Sequence, residues 1–164
     1  MIMVLISFSI PEHIALIKSG KKSQTTRIPR KQKSAFVIGS QVHLYYRSRI
    51  KASCDNCLEK RAIRDCITGF MCDAHTNFFG KTWIKEIIHY HNSNYKENGN
   101  EVWIGHTLRD ADAGDKETWA HTDGFDSYRL ADEYFSISTK DPQWDLRDLD
   151  VIIWDAEPII KRWQ

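Results

Sequence analysis

Four cysteines and one histidine crowd into a short polar stretch: Cys54-x2-Cys57, then Cys66, Cys72 and His75. Zinc takes four tetrahedral ligands, and a Cys-x2-Cys turn offers two thiolates from one tight knuckle. The second pair is either Cys66 with Cys72 or Cys72 with His75. The four-cysteine set is preferred, because a spare reduced thiol beside a metal invites oxidation, and His75 stands as the alternative fourth ligand. Four protein ligands leave no open position for a reacting water, so the expected Zn2+ is structural. A zinc deaminase needs His-x-Glu and a proline before its Cys-x2-Cys. None of the seven histidines is followed by x-Glu, and Ser53 precedes Cys54. The other chemically suggestive segment is Gly20-x-Lys22-x-x-Thr25-x-Arg27. On a strand Ser23, Thr25 and Arg27 share one face, with Thr26 on the other. The segment thus offers a hydroxyl flanked by cations to an anionic or carbonyl-bearing ligand.

The elements that position these residues are short. Met1 to Phe8 is apolar and reads as a buried first strand, too short to span a bilayer and lacking the basic start of a signal peptide. A helix follows, with Ser9 and Glu12 spaced as a capping box, Pro11 in its first turn and Gly20 as its stop. Ser23 to Ile28 is polar and Thr-rich, which predicts an exposed strand. After the Gly39-Ser40 turn, Gln41 to Ile50 reads as a long strand in which Val42, Leu44 and Tyr46 alternate with His43, Tyr45 and Arg47. Trp83 to Tyr90 and Val102 to His106 read as further strands, Asp110 to Glu117 as an acidic loop, and Asp126 to Phe135 as a second helix capped by Asp126 or Ser127. Val151 to Trp154 closes the chain's pattern as a fully buried strand. The sum is an α+β, mainly β chain: one domain over residues 1–164, a small β-barrel with two or more packed helices and a zinc-bearing insert at 52–77.

Charge is partitioned along the chain. The 23 Lys and Arg against 22 Asp and Glu give a net +1. Yet His13 to Cys54 holds ten bases and no acid, whereas Glu97 to Glu157 holds sixteen acids and five bases. The basic third suggests an anionic partner. With no membrane span and cysteines clustered for a metal rather than spread as a disulfide framework, the expected compartment is the cytoplasm.

Phe8-Ser9-Ile10-Pro11 through Arg27, the Gly39-Ser40-Gln41-Val42-His43-Leu44 turn and strand, Asp123-Gly124-Phe125-Asp126-Ser127, and Val151-Ile152-Ile153-Trp154 together resemble an ASCH domain. The resemblance spans nearly the whole chain, interrupted by the cysteine insert and the acidic loop. It implies a PUA-like β-barrel with a cleft beneath the Gly-x-Lys-x-x-Thr-x-Arg segment and roles tied to RNA or nucleosides. Some members deacetylate N4-acetylcytidine with a Lys, a Thr and a Glu, and nuclease activity is reported for others. The Lys and Thr fall on Lys22 and Thr25. The Glu position is Asp123, a shorter acid.

Three functions follow as expectations. The first is an RNA- or nucleic-acid-binding module, with Lys21, Arg27, Arg30, Lys31, Arg47 and Arg49 neutralising phosphates and Tyr45, Tyr46, Trp83 or Trp103 stacking on bases. The second is an amidohydrolase acting on an acylated nucleoside. There Thr25 is the nucleophile, Lys22 the base if its pKa falls, and Asp123 the group that orients the amide or protonates the amine, unless Asp123 only pairs with Lys22. The third is a nuclease using some of His13, His43, His89, His91, His106 and His121. No pair of these has diagnostic spacing, although His89 and His91 share a strand face.

Overall fold

The strand Leu149–Trp154 explains much of the architecture, because both of its faces are covered. Residues alternate across a strand. Ile152 and Trp154 enter one apolar cluster with Ile6, Phe8, Ile17, Val42, Leu44, Ile84 and Ile87. Leu149 and Val151 enter a second with Leu108, Trp119, Ala120, Ala131 and Trp144. A contiguous apolar run is what such a doubly covered strand requires.

The computed structural model describes residues 4–29, 36–46, 78–92 and 97–155, with side chains for 6–29, 36–45, 80–92 and 99–155. The insert at 52–77 with Cys54, Cys57, Cys66, Cys72 and His75 lies outside them, as do Arg30, Lys31, Arg47 and Arg49. The elements are β1 (Val4–Phe8), α1 (Pro11–Lys18), β2 (Gln24–Arg27), β3 (Gln41–Tyr46), β4 (Phe78–Tyr90), β5 (Glu97–Asn98), β6 (Glu101–Trp103), α2 (Ala113–Thr122), α3 (Tyr128–Thr139) and β7 (Leu149–Trp154). The sheet is mixed. β1 pairs parallel with β3, β3 antiparallel with β4, and β7 antiparallel with both β2 and β4, while β6 runs parallel to β4. The 13-residue β4 gives its first half to β3 and its second to β7 and β6, so the sheet curves into a half-barrel. The α+β class expected from sequence is the observed one. Among the described residues no helix is long and apolar enough to cross a membrane.

Four local expectations change. Helix α1 starts at Pro11 with Ile10 as its N-cap and no side-chain cap. Ser9 instead meets the Tyr134 hydroxyl at 2.7 Å, tying the entry of α1 to α3. The acidic stretch read as a loop holds the start of α2, whose Asp112 cap accepts from the Asp115 N–H at 2.8 Å. β2 is buried rather than exposed: Gln24, Thr25 and Thr26 are 6%, 5% and 4% accessible. Tyr45, expected outside with His43, is 1% exposed. The register of β3 on β4 shifts between Leu44 and Tyr45, and such a bulge re-aims side chains.

Candidate functional site

β2 is the floor of the site. It pairs with β7 from Gln24↔Ile153 to Arg27↔Asp150, and the Trp154 N–H donates to the Ser23 carbonyl at 3.0 Å. Gly20 (φ 80°) ends α1 in the left-handed conformation and lets the chain turn from helix to strand. That turn carries Lys22 inward.

Lys22 is 1% exposed. Its ammonium donates to the main-chain carbonyl of Asp123 and lies 3.8 Å from the Asp123 carboxylate. It also sits 5.7 Å from the centre of the Phe8 ring. Burial pulls its pKa from 10.5 down to about 8; Asp123 opposes that fall and Arg27 adds to it. Lys22 therefore carries its charge at neutral pH but surrenders it far more readily than an ordinary lysine.

Asp123 ends α2 as its C-cap and is 2% exposed. Its Oδ1 accepts from Thr26 Oγ1 at 3.1 Å and from Gln24 Nε2 at 3.3 Å. Thr26 Oγ1 in turn accepts from Trp119 Nε1 at 2.9 Å. The acid is thus fixed by β2 on one side and by Lys22 on the other. Such a buried polar network stands only when its members are satisfied. The following residue, Gly124, has φ +101°, and a Cβ there would meet His13 Nε2 at 2.9 Å and the Lys22 side chain at 3.0 Å. Only glycine lets the chain pass this closely. His13, buried on α1, has its pKa lowered to about 4, first by burial and then by Lys22, with Gly124 and Glu12 opposing. Its imidazole is neutral at pH 7.

These groups border a cavity of about 290 Å³. Thr25, Arg27, Lys22 and Asp123 supply its polar wall, and Phe8, Phe125, Tyr134 and Phe135 its aromatic one. Among the described residues no partner engages the Thr25 hydroxyl, so it faces the cavity free for a ligand. Arg27 donates to the Ser7 carbonyl at 2.8 Å and packs 5.7 Å from the Phe8 ring centre.

The structure brings together Lys22, Thr25, Arg27 and Asp123 from the sequence expectations. Lys21 is exposed outside the cavity wall. Tyr45 is closed to a stacking ligand by its burial, Trp83 is 46% exposed and lines no part of the cavity, and Trp103 stacks on His89. The cleft aromatics instead include Phe8, Phe125, Tyr134 and Phe135, which no local pattern marks as cleft residues, since α3 brings Tyr134 from 125 positions beyond Ser9.

A second polar cluster lies where β4, β6 and β7 meet. His89 Nδ1 is 2.6 Å from Asp150 Oδ1, and His89 Nε2 is 2.8 Å from Glu101 Oε1. His91 Nε2 is 2.9 Å from the same Asp150 oxygen, and its Nδ1 is 3.6 Å from Asp148. Burial alone lowers the His89 pKa, but the hydrogen bonds and charges of Asp150 and Glu101 outweigh it and the net direction is upward. His89 and His91 were singled out in the sequence as a same-face pair; their carboxylate partners were not.

No protein-family profile and no curated protein matches the chain. Among solved structures, the crystal structure of a point mutant of ZmASCH from Zymomonas mobilis is similar, at a TM-score of 0.45 and 13% identity, covering 96% of this chain and 72% of that one.

Proposed function

We propose that the protein is an ASCH-like, PUA-like module that binds RNA by taking one unpaired base, or a modified nucleoside, into the Lys22 cleft. The observation that carries this reading is the cavity itself: about 290 Å³, one wall aromatic, the other bearing Lys22, Arg27 and the Thr25 hydroxyl. Its size lies at the lower end of small-molecule pockets, roughly 300 Å³, which suits a single base and excludes a duplex. Unstacked bases are read by aromatic faces and by hydrogen bonds to their edges, and cations beside them neutralise phosphate. Arg30, Lys31, Arg47 and Arg49 are further phosphate-neutralising residues in this reading, and Cys54, Cys57, Cys66 and Cys72, with His75 as the alternative ligand, are the residues that would hold a structural Zn2+. Fluorescence anisotropy with labelled single-stranded RNA across a salt series tests it. Expected is binding that weakens as salt rises and discriminates against duplex; no binding at low salt overturns it. Purified protein without zinc overturns the metal assignment alone.

A second reading is favoured by the lowered pKa of Lys22 beside a cavity-facing threonine. In it Thr25 Oγ1 attacks the acyl carbon of an N-acylated nucleoside while neutral Lys22 accepts the hydroxyl proton. The C–N bond then breaks as Lys22 returns that proton to the leaving amine, and water hydrolyses the acyl-threonine to the free acid and Thr25. The Asp123 carboxylate, held by Thr26 and Gln24, keeps Lys22 in place. Acetate release from N4-acetylcytidine, lost in Thr25→Ala, is its test; no turnover ends it.

A further inference from the structure

We propose that His89, His91 and Asp150 form a binding site for a first-row divalent cation of the zinc class, with Glu101 and Asp148 orienting the two imidazoles. One nitrogen from each ring converges on a single oxygen of Asp150, at 2.6 and 2.9 Å. Donors bound about 2.0–2.2 Å from one tetrahedral zinc-like ion stand roughly 3.4 Å apart, so a cation taken up in place of the shared protons opens these two contacts by less than about 1 Å. The three ligand atoms lie within 4.8 Å of one another.

The far side of each ring carries the stronger indication. Metal-bound histidines hand their remaining N–H to a carboxylate, carbonyl or water, which fixes tautomer and ring orientation. Here His89 Nε2 faces Glu101 at 2.8 Å, and His91 Nδ1 faces Asp148 at 3.6 Å. The pattern of a carboxylate behind each imidazole therefore occurs twice, on two rings whose other nitrogens share one focus. Trp103 holds both rings, stacked on His89 at 4.2 Å and edge-on to His91 at 4.8 Å.

Strand geometry builds the set. His89 near the end of β4 and His91 just past it are two apart, His89 is opposite Asp150 on β7, and β6 supplies Glu101 and Trp103 on the other flank. Three carboxylates face two imidazoles, so a divalent cation relieves an excess of negative charge. Imidazole and carboxylate donors suit zinc and its neighbours rather than calcium or magnesium. Side-chain exposures of 8% for His89, 14% for His91 and 13% for Asp150 shield the focus, while Asp148 at 54% leaves an open approach. Three protein ligands leave a further position for water or an added donor.

The test is a Co2+ titration of metal-free, full-length protein, followed by calorimetry and visible absorption, on the wild type, His91→Ala and Glu101→Gln. The wild type is expected to take up one equivalent more than His91→Ala, and the absorption of that equivalent lacks thiolate charge transfer, which separates it from any cobalt on the cysteines. Glu101→Gln, on a partly exposed side chain, keeps the stoichiometry and weakens that equivalent about 10- to 100-fold. Circular dichroism checks that the variants remain folded. Equal uptake by wild type and His91→Ala, or affinity unchanged in Glu101→Gln, overturns the proposal and leaves the cluster as a proton-bridged one.

Discussion

Lys22 and His89 are both cationic-capable groups removed from water, yet they are driven in opposite directions. Burial acts identically on each, lowering the pKa by penalising the charged form. The carboxylates decide the outcome. Lys22 has one at 3.8 Å, with Arg27 adding like charge. His89 has two at 2.6 and 2.8 Å. The cleft therefore holds a reluctant cation beside aromatic rings, suited to an incoming anionic or carbonyl ligand. The histidine cluster holds an anionic excess, suited to an incoming cation. Arg27 and Asp150 sit opposite one another across β2 and β7, so a single strand pair carries both arrangements.

The largest disturbance to the cleft is expected from Gly124→Ala. It combines a left-handed backbone with contacts of 2.9 and 3.0 Å to His13 and Lys22. Strain and overpacking together predict a loss of about 4 kcal/mol in denaturant unfolding. A loss under about 1 kcal/mol would mean that α1 and Lys22 yield easily and that the cleft is not close-packed.

Next comes pH. Between about 8 and its ordinary value of 10.5, Lys22 binds fewer protons folded than unfolded, so stability rises with pH across that window. The rise attributable to Lys22 is roughly 3 kcal/mol, and Lys22→Met flattens it. Unfolding curves at pH 7.5 and 10 for both proteins check this; parallel slopes would show that Lys22 titrates normally.

Thr26→Val strips the donor from Asp123 and the acceptor from Trp119 together. The expected cost is about 2 kcal/mol, read as a lowered denaturant midpoint. The smallest effect is expected in the histidine cluster. In metal-free protein His91→Ala changes stability by about 1 kcal/mol, because Asp148 is exposed and Asp150, which His91 meets at 2.9 Å, keeps His89 as a partner at 2.6 Å. A larger loss would make the cluster a structural clasp and erase the contrast with the cleft.

The apolar elements were legible because burial writes itself into pattern. β1, β7 and the helix after Ser127 follow from alternation, contiguous apolar residues and a cap, and Ser127 does accept from the Leu130 N–H at 3.2 Å. α2 was hidden because it buries little beyond Trp119 and Ala120, so no apolar stripe marks it. β2 is buried although its composition reads as exposed, for the converse reason. Its threonines and glutamine are polar, and the partners that permit their burial, Trp119 and Asp123, come from about 95 residues away. At the site, Lys22, Thr25 and Arg27 were visible as a local segment, and Asp123 through the family resemblance. Tyr134 on α3 and Phe125 just before that helix were not, since only tertiary packing brings them to the cavity that β2 borders. His89 and His91 showed as a strand-face pair, but Asp150 and Glu101 reach them from other strands.

The central claim is that the aromatic wall of the Lys22 cleft receives a base. Tyr134 lines that cavity, partly exposed, with its hydroxyl on Ser9. Anisotropy with labelled single-stranded RNA, comparing wild type, Tyr134→Ala and Tyr134→Phe at one low salt concentration, tests it most directly. Losing one base–aromatic stack is worth about 1–3 kcal/mol, so Tyr134→Ala should weaken binding about 5- to 150-fold while Tyr134→Phe stays near wild type. Folded Tyr134→Ala protein that binds RNA as tightly as the wild type would contradict the account.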